Sequence, residues 1–309
     1  MAREISIGGA VGEGFGLIRD KPLTVLAWGL AQGGFMVLFS AILLAVYAPF
    51  IAMAVRQTPG AAPDPAMLQT MMQRQSLIYL FNLVSLMFSA VTYCAVWRAV
   101  LKPDQGRFAY LRIGASELYL ALMILVASFA FGIGMVVAMI PIAIVAAILV
   151  GTHQIAAAVI FGVIAGIAAV CGLVYVMLRV SLVGPMTVDE GQLRVSEAWA
   201  LTRGKVVNLL AVALVLLVVM IALEIVIGLL MVVIGVGGLA AIAGGLRNVP
   251  TLFQSLPPMG IVSKLAPLLA ALVLLWIPLS GAILAILGAP WARVYLDLKP
   301  PRDIASTFT

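Results

Sequence analysis

Long apolar stretches alternate with short polar segments along the whole chain. Runs of about 20 or more apolar residues are long enough to cross a bilayer as helices. Six stretches meet this length: residues 22–53, 76–101, 118–150, 154–178, 206–240 and 265–291. The pattern predicts an all-α integral membrane protein with six transmembrane helices.

A four-residue pattern beginning with Arg recurs at the ends of the second, fourth and sixth stretches. Its copies are Arg98-Ala99-Val100-Leu101, Arg179-Val180-Ser181-Leu182 and Arg293-Val294-Tyr295-Leu296. We call them the Arg tetrads. Because each one closes a pair of apolar stretches, they divide the chain into three hairpins.

A short segment of mixed polarity, here called an elbow, precedes each hairpin. The three elbows span about residues 3–20, 104–117 and 187–204. Residues 13–21 and 197–205 share the pattern Glu-x-aromatic-x-Leu-x-Arg-x-Lys, whereas the middle elbow keeps only an aromatic, Phe108, four residues before Arg112. Internal sequence repeats indicate the overall architecture of a chain more directly than any local pattern does. We therefore expect a single membrane domain, residues 1–309, built of three elbow-plus-hairpin units. Their predicted boundaries are 3–102, 104–183 and 187–297, followed by a C-terminal tail, 298–309.

Apolar side chains recur at helical spacing in two of the elbows, which predicts amphipathic interfacial helices lying in the head-group plane. The first stripe is Ile7, Val11, Phe15 and Ile18, and the third is Val188, Val195, Trp199, Thr202 and Val206. An ordinary elbow packed against the bundle is the alternative, and the two can both hold.

The odd-numbered stretches are longer than a bilayer requires. About 33 helical residues extend about 50 Å, against a hydrocarbon core of about 30 Å. We expect these helices to tilt, to emerge from the lipid or to break at Gly33-Gly34, at Pro141, and at Gly235 with Gly237-Gly238. In the fourth stretch, Gly162 and Gly166 predict close packing against another helix.

Composition and charge agree with a membrane location. The chain is 64% hydrophobic and 10% charged, and its net charge is +6. With the N-terminus in the cytoplasm, cytoplasmic segments hold 14 of the 18 Lys and Arg residues, and only Arg56, Arg74, Arg247 and Lys264 fall on the other side. The positive-inside rule then predicts a multi-pass protein of a bacterial inner membrane with both termini cytoplasmic and with residues 56–75 and 244–264 outside. The charge favours membrane phospholipids as partners, and no nucleic-acid motif occurs.

Catalytic and metal-binding patterns are missing from the sequence. His153 is the lone histidine, in a tight turn, and Cys94 and Cys171 lie within spans, with no spacing typical of a metal, redox or disulfide pair. We expect no enzyme activity, no metal and no cofactor. The neighbouring carboxylates Asp189 and Glu190 are expected to be solvated or to sit at a helix N-terminus.

Glu224 is an acidic residue in an otherwise apolar run. An acidic group at mid-bilayer costs about 3 kcal/mol, so it is a candidate for ion or substrate coupling. It lies about 28 Å along the helix from Lys205, near the outer interface, which favours a structural role.

The basic residues of the tetrads and elbows are candidates for lipid binding. Arg at a helix C-terminus suits the helix dipole and reaches head groups. We expect Arg98, Arg179 and Arg293, with Arg19 and Arg203 of the elbows, to bind anionic head groups; topology anchoring alone is the alternative.

The six spans, the elbow Ser196-Glu197-Ala198-Trp199-Ala200-Leu201-Thr202-Arg203-Gly204-Lys205 and the tetrad at Arg179 together resemble the membrane domain attached to some bacterial glycerophosphodiester phosphodiesterases. That domain also occurs alone. The resemblance implies a lipid-associated membrane module, and no catalytic residue carries over because the hydrolase of that family is a separate soluble barrel.

The leading prediction is a non-enzymatic protein that binds anionic lipid or supports membrane homeostasis. One alternative is a transporter or channel for a small or lipid-like substrate that uses Glu224 and broken odd helices. An intramembrane enzyme is disfavoured. A second copy of the chain or another membrane protein remains open as a partner.

Overall fold

A computed structural model describes residues 5–56, 65–249, 251 and 258–299. The described residues are 90% helical and contain no strand. Six helices are long and apolar enough to cross a membrane, which confirms the predicted number of long apolar helices. The long helices are α2 (Pro22–Arg56), α3 (Pro65–Leu101), α4 (Ala115–Gly151), α5 (Ile155–Val180), α8 (Val206–Ala243) and α9 (Pro258–Leu298).

Short helices occupy the first and third elbows. They are α1 (Ile7–Asp20), α6 (Val183–Glu190) and α7 (Val195–Leu201). The middle elbow has no α-helix; it consists of two 3-10 turns, Pro103–Gln105 and Arg107–Tyr110.

The third elbow was expected to be one amphipathic helix, and this expectation is wrong. Gly191 ends α6 with a left-handed backbone, φ 73°, and α7 begins only at Val195. Val188 and Trp199 therefore lie on different helices. In α1 the buried residues are Ala10, Val11, Gly14 and Leu17, whereas Phe15 of the predicted stripe is 46% exposed.

The first, third and fifth long helices are continuous, so a break, one of the alternatives considered for their extra length, is not observed. Helix α2 runs through Gly33-Gly34, α4 through Pro141 and α8 through Gly235. Gly33 has a different role: an added Cβ would lie 2.9 Å from the Cγ1 atom of Ile277 in α9. The small residue thus permits close helix packing rather than a bend.

The chain divides into two compact units. One contains residues 5–10, 85–212 and 288–299, and the other 11–84 and 213–287, among those described. These boundaries cut across the three predicted repeats, because α1, α3, α8 and α9 each contribute to both units.

The core of the first unit forms around Trp97. The cluster consists of Ala90, Cys94, Trp97, Leu120, Ala121, Val188 and Ala292. The Trp97 indole Nε1 donates a hydrogen bond to the carbonyl oxygen of Gly288, 3.0 Å away, and a Cβ added at Gly184 would collide with the ring. The indole thus joins α3, α6 and α9, and only glycine fits beside it.

Helices α2 and α9 approach closely within the second unit. A Cβ at Gly29 would collide with the carbonyl oxygen of Ile277, and one at Gly281 with that of Val25. The Ser280 hydroxyl donates hydrogen bonds to the carbonyl oxygens of Ile277 and Gly29 at 2.9 and 3.4 Å. Backbone proximity of this kind is typical of helix pairs in membranes, where lipid supplies little hydrophobic driving force.

The predicted packing role of Gly162 and Gly166 in α5 is not observed, because both face open space. His153 is exposed in the turn after α4, as expected, with φ 58°. Cys94 is buried and Cys171 exposed, and neither forms a disulfide.

Candidate functional site

Arg98 of the first tetrad is buried instead of reaching toward the surface. It lies in the last turn of α3 and forms an ion pair with Glu117 in the first turn of α4; both side chains are 1% exposed. Its Nη1 donates a hydrogen bond to the carbonyl oxygen of Tyr110 at 3.2 Å. A cation near a helix C-terminus and an anion near a helix N-terminus both suit the helix dipoles. Arg98 thus joins the end of the first hairpin to the middle elbow.

Arg179 of the second tetrad is also buried, at 4% exposure. Its Nη1 lies 3.2 Å from the Thr202 hydroxyl oxygen, and its guanidinium carbon lies 4.6 Å from the centre of the Trp199 ring. Tyr175 meets the same indole edge-on, with 6.4 Å between ring centres. The cation–π contact and the hydrogen bond join the end of the second hairpin to the third elbow.

Arg293 of the third tetrad is half-exposed. Its Nε lies 3.4 Å from Asp297 Oδ1, one turn later in α9. The other carboxylate oxygen of Asp297 accepts a hydrogen bond from the backbone N–H of Ser6 at 3.3 Å. Arg293 therefore connects, through Asp297, to the start of the first elbow. Each tetrad arginine thus contacts, directly or through one carboxylate, the elbow that comes next in cyclic order.

The two elbow arginines are exposed. The Arg19 side chain is 83% exposed, and its Nε lies 3.0 Å from Asp20 Oδ1. Arg203 is exposed in the turn between α7 and α8. Of the five predicted lipid-binding arginines, these two offer the most accessible charge. The aromatics of the two matching elbows differ: Phe15 is exposed, whereas Trp199 packs against Arg179.

Asp189 and Glu190 are not at a helix N-terminus, contrary to one of the two expectations. The Asp189 side chain is only 7% exposed, whereas Glu190 is exposed, in agreement with the other expectation, solvation. They end α6, where Lys299 forms an ion pair with Asp189. The Tyr295 hydroxyl lies 3.0 Å from Asp189 Oδ2 and 3.4 Å from Glu190 Oε1. The two carboxylates therefore attach α6 to the last turns of α9.

Lys102 caps the same end of α6. Its Nζ donates hydrogen bonds to the carbonyl oxygens of Val188 and Asp189 at 2.9 and 2.8 Å. Burial lowers the pKa of Lys102; Asp189 opposes this shift, and the nearby charges of Arg112, Arg98 and Lys299 reinforce it. Cations are thus concentrated where α3 meets the middle elbow.

The middle elbow encloses an open cavity of about 380 Å³. Its lining includes Arg98, Asp104, Arg107, Phe108, Tyr110 and Arg112. Phe108, Ala109 and Tyr110 have left-handed backbones, with φ of 50°, 54° and 63°. The Tyr110 hydroxyl closes the elbow by donating a hydrogen bond to the carbonyl oxygen of Pro103 at 2.8 Å.

Sequence reasoning missed both this cavity and Glu117. The available signal for Glu117 was a lone carboxylate at the start of an apolar span, where burial demands a basic partner. No comparable signal predicts the left-handed run, because Phe, Ala and Tyr do not favour that conformation.

Glu224 is exposed near the middle of α8. It is not among the residues that line the cavity of the middle elbow. Within the described part of the chain, no three His, Cys, Asp or Glu side chains gather as a metal site requires.

Comparison with protein-family models, curated proteins and solved structures finds no match to this chain.

Proposed function

We propose that this chain is a non-enzymatic, multi-pass protein of a bacterial inner membrane that binds anionic lipid head groups at the cytoplasmic face. The proposal keeps the resemblance to the membrane domain of the glycerophosphodiester phosphodiesterase family as a hypothesis. It assigns different roles to the arginines that are buried and those that are exposed.

The observation that carries the proposal recurs just before or at the start of the first long helix of each hairpin. A basic residue there is followed closely by an aliphatic side chain that is almost fully exposed: Leu23 after Lys21, Ile113 after Arg112, and Val207 after Lys205. The three aliphatic side chains are 80%, 81% and 77% exposed. Exposed apolar groups beside cations suit the boundary between hydrocarbon and head groups. Each cation near an anionic surface contributes about 1 kcal/mol.

We propose that the exposed Arg19 and Arg203 also contact lipid phosphates. Arg98 and Arg179 are buried in contacts with the elbows and act by positioning them. Arg293 is half-exposed and can do both. The 14-to-4 division of basic residues supports a cytoplasmic location for these arginines and for both termini. The predicted outer segments fall partly, and Arg3 and Arg302 wholly, outside the described residues.

A transporter that uses Glu224 has less support. Transport would require the Glu224 carboxylate to face a water-filled cavity. The transporter hypothesis also relied on breaks in the first, third and fifth long helices. Glu224 is exposed on α8, and α2, α4 and α8 are continuous. A side chain on the helix surface near the outer interface needs no transport role.

The test is lipid retention after purification. The variant Arg19→Gln/Arg203→Gln removes two exposed cations that we propose to bind lipid, and Arg247→Gln/Lys264→Gln removes two from the opposite side of the membrane. Native mass spectrometry should show that only the first variant loses bound phosphatidylglycerol. Its affinity should fall by up to about 30-fold, the equivalent of about 1 kcal/mol per residue. Equal retention in both variants, with the fold intact, would refute the proposal.

A further inference from the structure

The middle elbow encloses an open cavity, and the charged residues of its lining are mostly cations. The charged lining residues are three arginines, Arg98, Arg107 and Arg112, and one carboxylate, Asp104. Its volume of about 380 Å³ lies within the range of small-molecule sites, about 300–1,000 Å³. Arg107 and Arg112 are exposed and can donate, whereas Arg98 forms the inner wall and already holds Glu117.

The excess of cations has an electrostatic cost that an anion would remove. Lys102 lies at the start of the same elbow, and its pKa is lowered by burial and by the charges of Arg112 and Arg98, among others. Cations that repel one another in this way create a positive potential at the mouth of a cavity. Arg is suited to bidentate binding of phosphate oxygens.

The backbone of the elbow is strained where it shapes the cavity. Three successive residues, Phe108, Ala109 and Tyr110, have positive φ, and such a conformation costs about 1–2 kcal/mol per residue without glycine. Hydrogen bonds from Arg98 to the Tyr110 carbonyl and from the Tyr110 hydroxyl to Pro103 hold it in place. Strain retained by several bonds is concentrated at functional sites. Here it turns the chain so that Arg107 and Arg112 line the same cavity.

From these observations we infer that the middle elbow is a binding site for a phosphate group, held by Arg107 and Arg112. The group can belong to a lipid head group or to a small soluble phosphate ester. Phe108 and Ile113 flank the site and are 89% and 81% exposed, which favours the lipid, because both side chains can enter the hydrocarbon boundary. This inference deepens the proposed lipid binding and rests on it; it shares Arg112 with that proposal, adds Arg107 and does not depend on Arg19 or Arg203.

Two ligands distinguish a lipid phosphate from a soluble phosphate ester as the occupant of the site. Dioleoyl phosphatidate in nanodiscs of phosphatidylcholine supplies the lipid phosphate, and glycerol 3-phosphate supplies the soluble one. Binding is measured by native mass spectrometry for the lipid and by calorimetry for the ester. Arg107→Gln/Arg112→Gln should weaken binding of the lipid by about 100-fold, since hydrogen bonds to a charged group are each worth about tenfold or more. Asp104→Asn should strengthen it.

Control variants show whether the site binds lipid, any phosphate group or neither. Phe108→Ser should weaken phosphatidate binding and leave any glycerol 3-phosphate binding unchanged, as expected for a lipid site. Equal binding of the ester and the lipid, both lost in Arg107→Gln/Arg112→Gln, would keep the phosphate site and overturn the lipid as its source. Unchanged binding of both ligands in that variant would overturn the inference. Arg19→Gln/Arg203→Gln should leave this site intact, so failure of the proposed function at those residues is a separate result.

Discussion

Arg98 and Glu117 form an ion pair between the end of α3 and the start of α4, and both side chains are almost fully buried. They are separated along the chain by the middle elbow, whose Tyr110 carbonyl also accepts a hydrogen bond from Arg98. A charge taken out of water is tolerated only with such partners. The pair therefore sets the position at which the second hairpin leaves the elbow.

Removing one partner of this pair should be costly. Arg98→Met or Glu117→Leu leaves a buried charge without its counter-ion, and we expect each to lose about 3–5 kcal/mol of stability. The double variant Arg98→Met/Glu117→Leu should recover most of that loss. Melting temperatures in detergent measure the effect.

The exposed pair Arg19–Asp20 is the matched control. Arg19→Gln/Asp20→Asn should change stability by less than about 1 kcal/mol, because exposed ion pairs are screened by solvent. Losses that simply add in the Arg98/Glu117 double variant would show that the two side chains act independently, contrary to the observed pair.

The aromatic of the third elbow should matter more than its counterpart in the first. Trp199 makes a cation–π contact with Arg179 and an edge-on contact with Tyr175, whereas Phe15 at the matching position is exposed. We expect Trp199→Leu to lower stability by about 1–3 kcal/mol, from lost cation–π and aromatic contacts. Phe15→Leu should be nearly neutral. Similar melting temperatures for the two variants in detergent would contradict the different roles assigned to the elbows.

The membrane spans could be predicted from sequence because each is a long local pattern. Apolar length alone identified all six, with ends that differ from the observed helices by a few residues at most sites; α3 begins at Pro65 rather than at residue 76. Local length cannot show how helices approach one another. Breaks at Gly33-Gly34 and at Gly235 were one of the alternatives considered, and the uninterrupted helices do not support them. Gly33 instead packs closely against Ile277, whereas Gly235 has open space around it.

The site was harder to predict because its contacts join distant parts of the chain. The recurrence of Arg98, Arg179 and Arg293 was visible in the sequence, but the burial of Arg98 and Arg179 was not. An Arg at a helix end has the same local pattern whether it snorkels to lipid or pairs with a buried carboxylate. Asp189 shows the same limit, since its partner Lys299 is more than a hundred residues away.

Packing around Trp97 gives a steric prediction. A Cβ at Gly184 would collide with the indole ring, which is held by its hydrogen bond to Gly288. Gly184→Ala should therefore lose about 1–3 kcal/mol through overpacking. Gly162→Ala and Gly166→Ala place a methyl group in open space and should leave stability unchanged or raise it by up to about 1 kcal/mol each. Thermal unfolding of the three variants compares them directly; a neutral Gly184→Ala would mean that α6 can move away from the indole.

The topology can be tested with single cysteines. Cys94 and Cys171 are first replaced by Ala, and a cysteine is then introduced at Gln69 or at Gln192, both of which are exposed. The positive-inside rule places Gln69, in the predicted outer segment 56–75, outside the cell and Gln192 in the cytoplasm. A membrane-impermeant maleimide added to intact spheroplasts should label Gln69→Cys at once and Gln192→Cys only after lysis. Labelling in the reverse order would show that the chain has the opposite orientation in the membrane. Arg19 and Arg203 would then face outward, so the proposed binding of lipid at the cytoplasmic leaflet would fail as well.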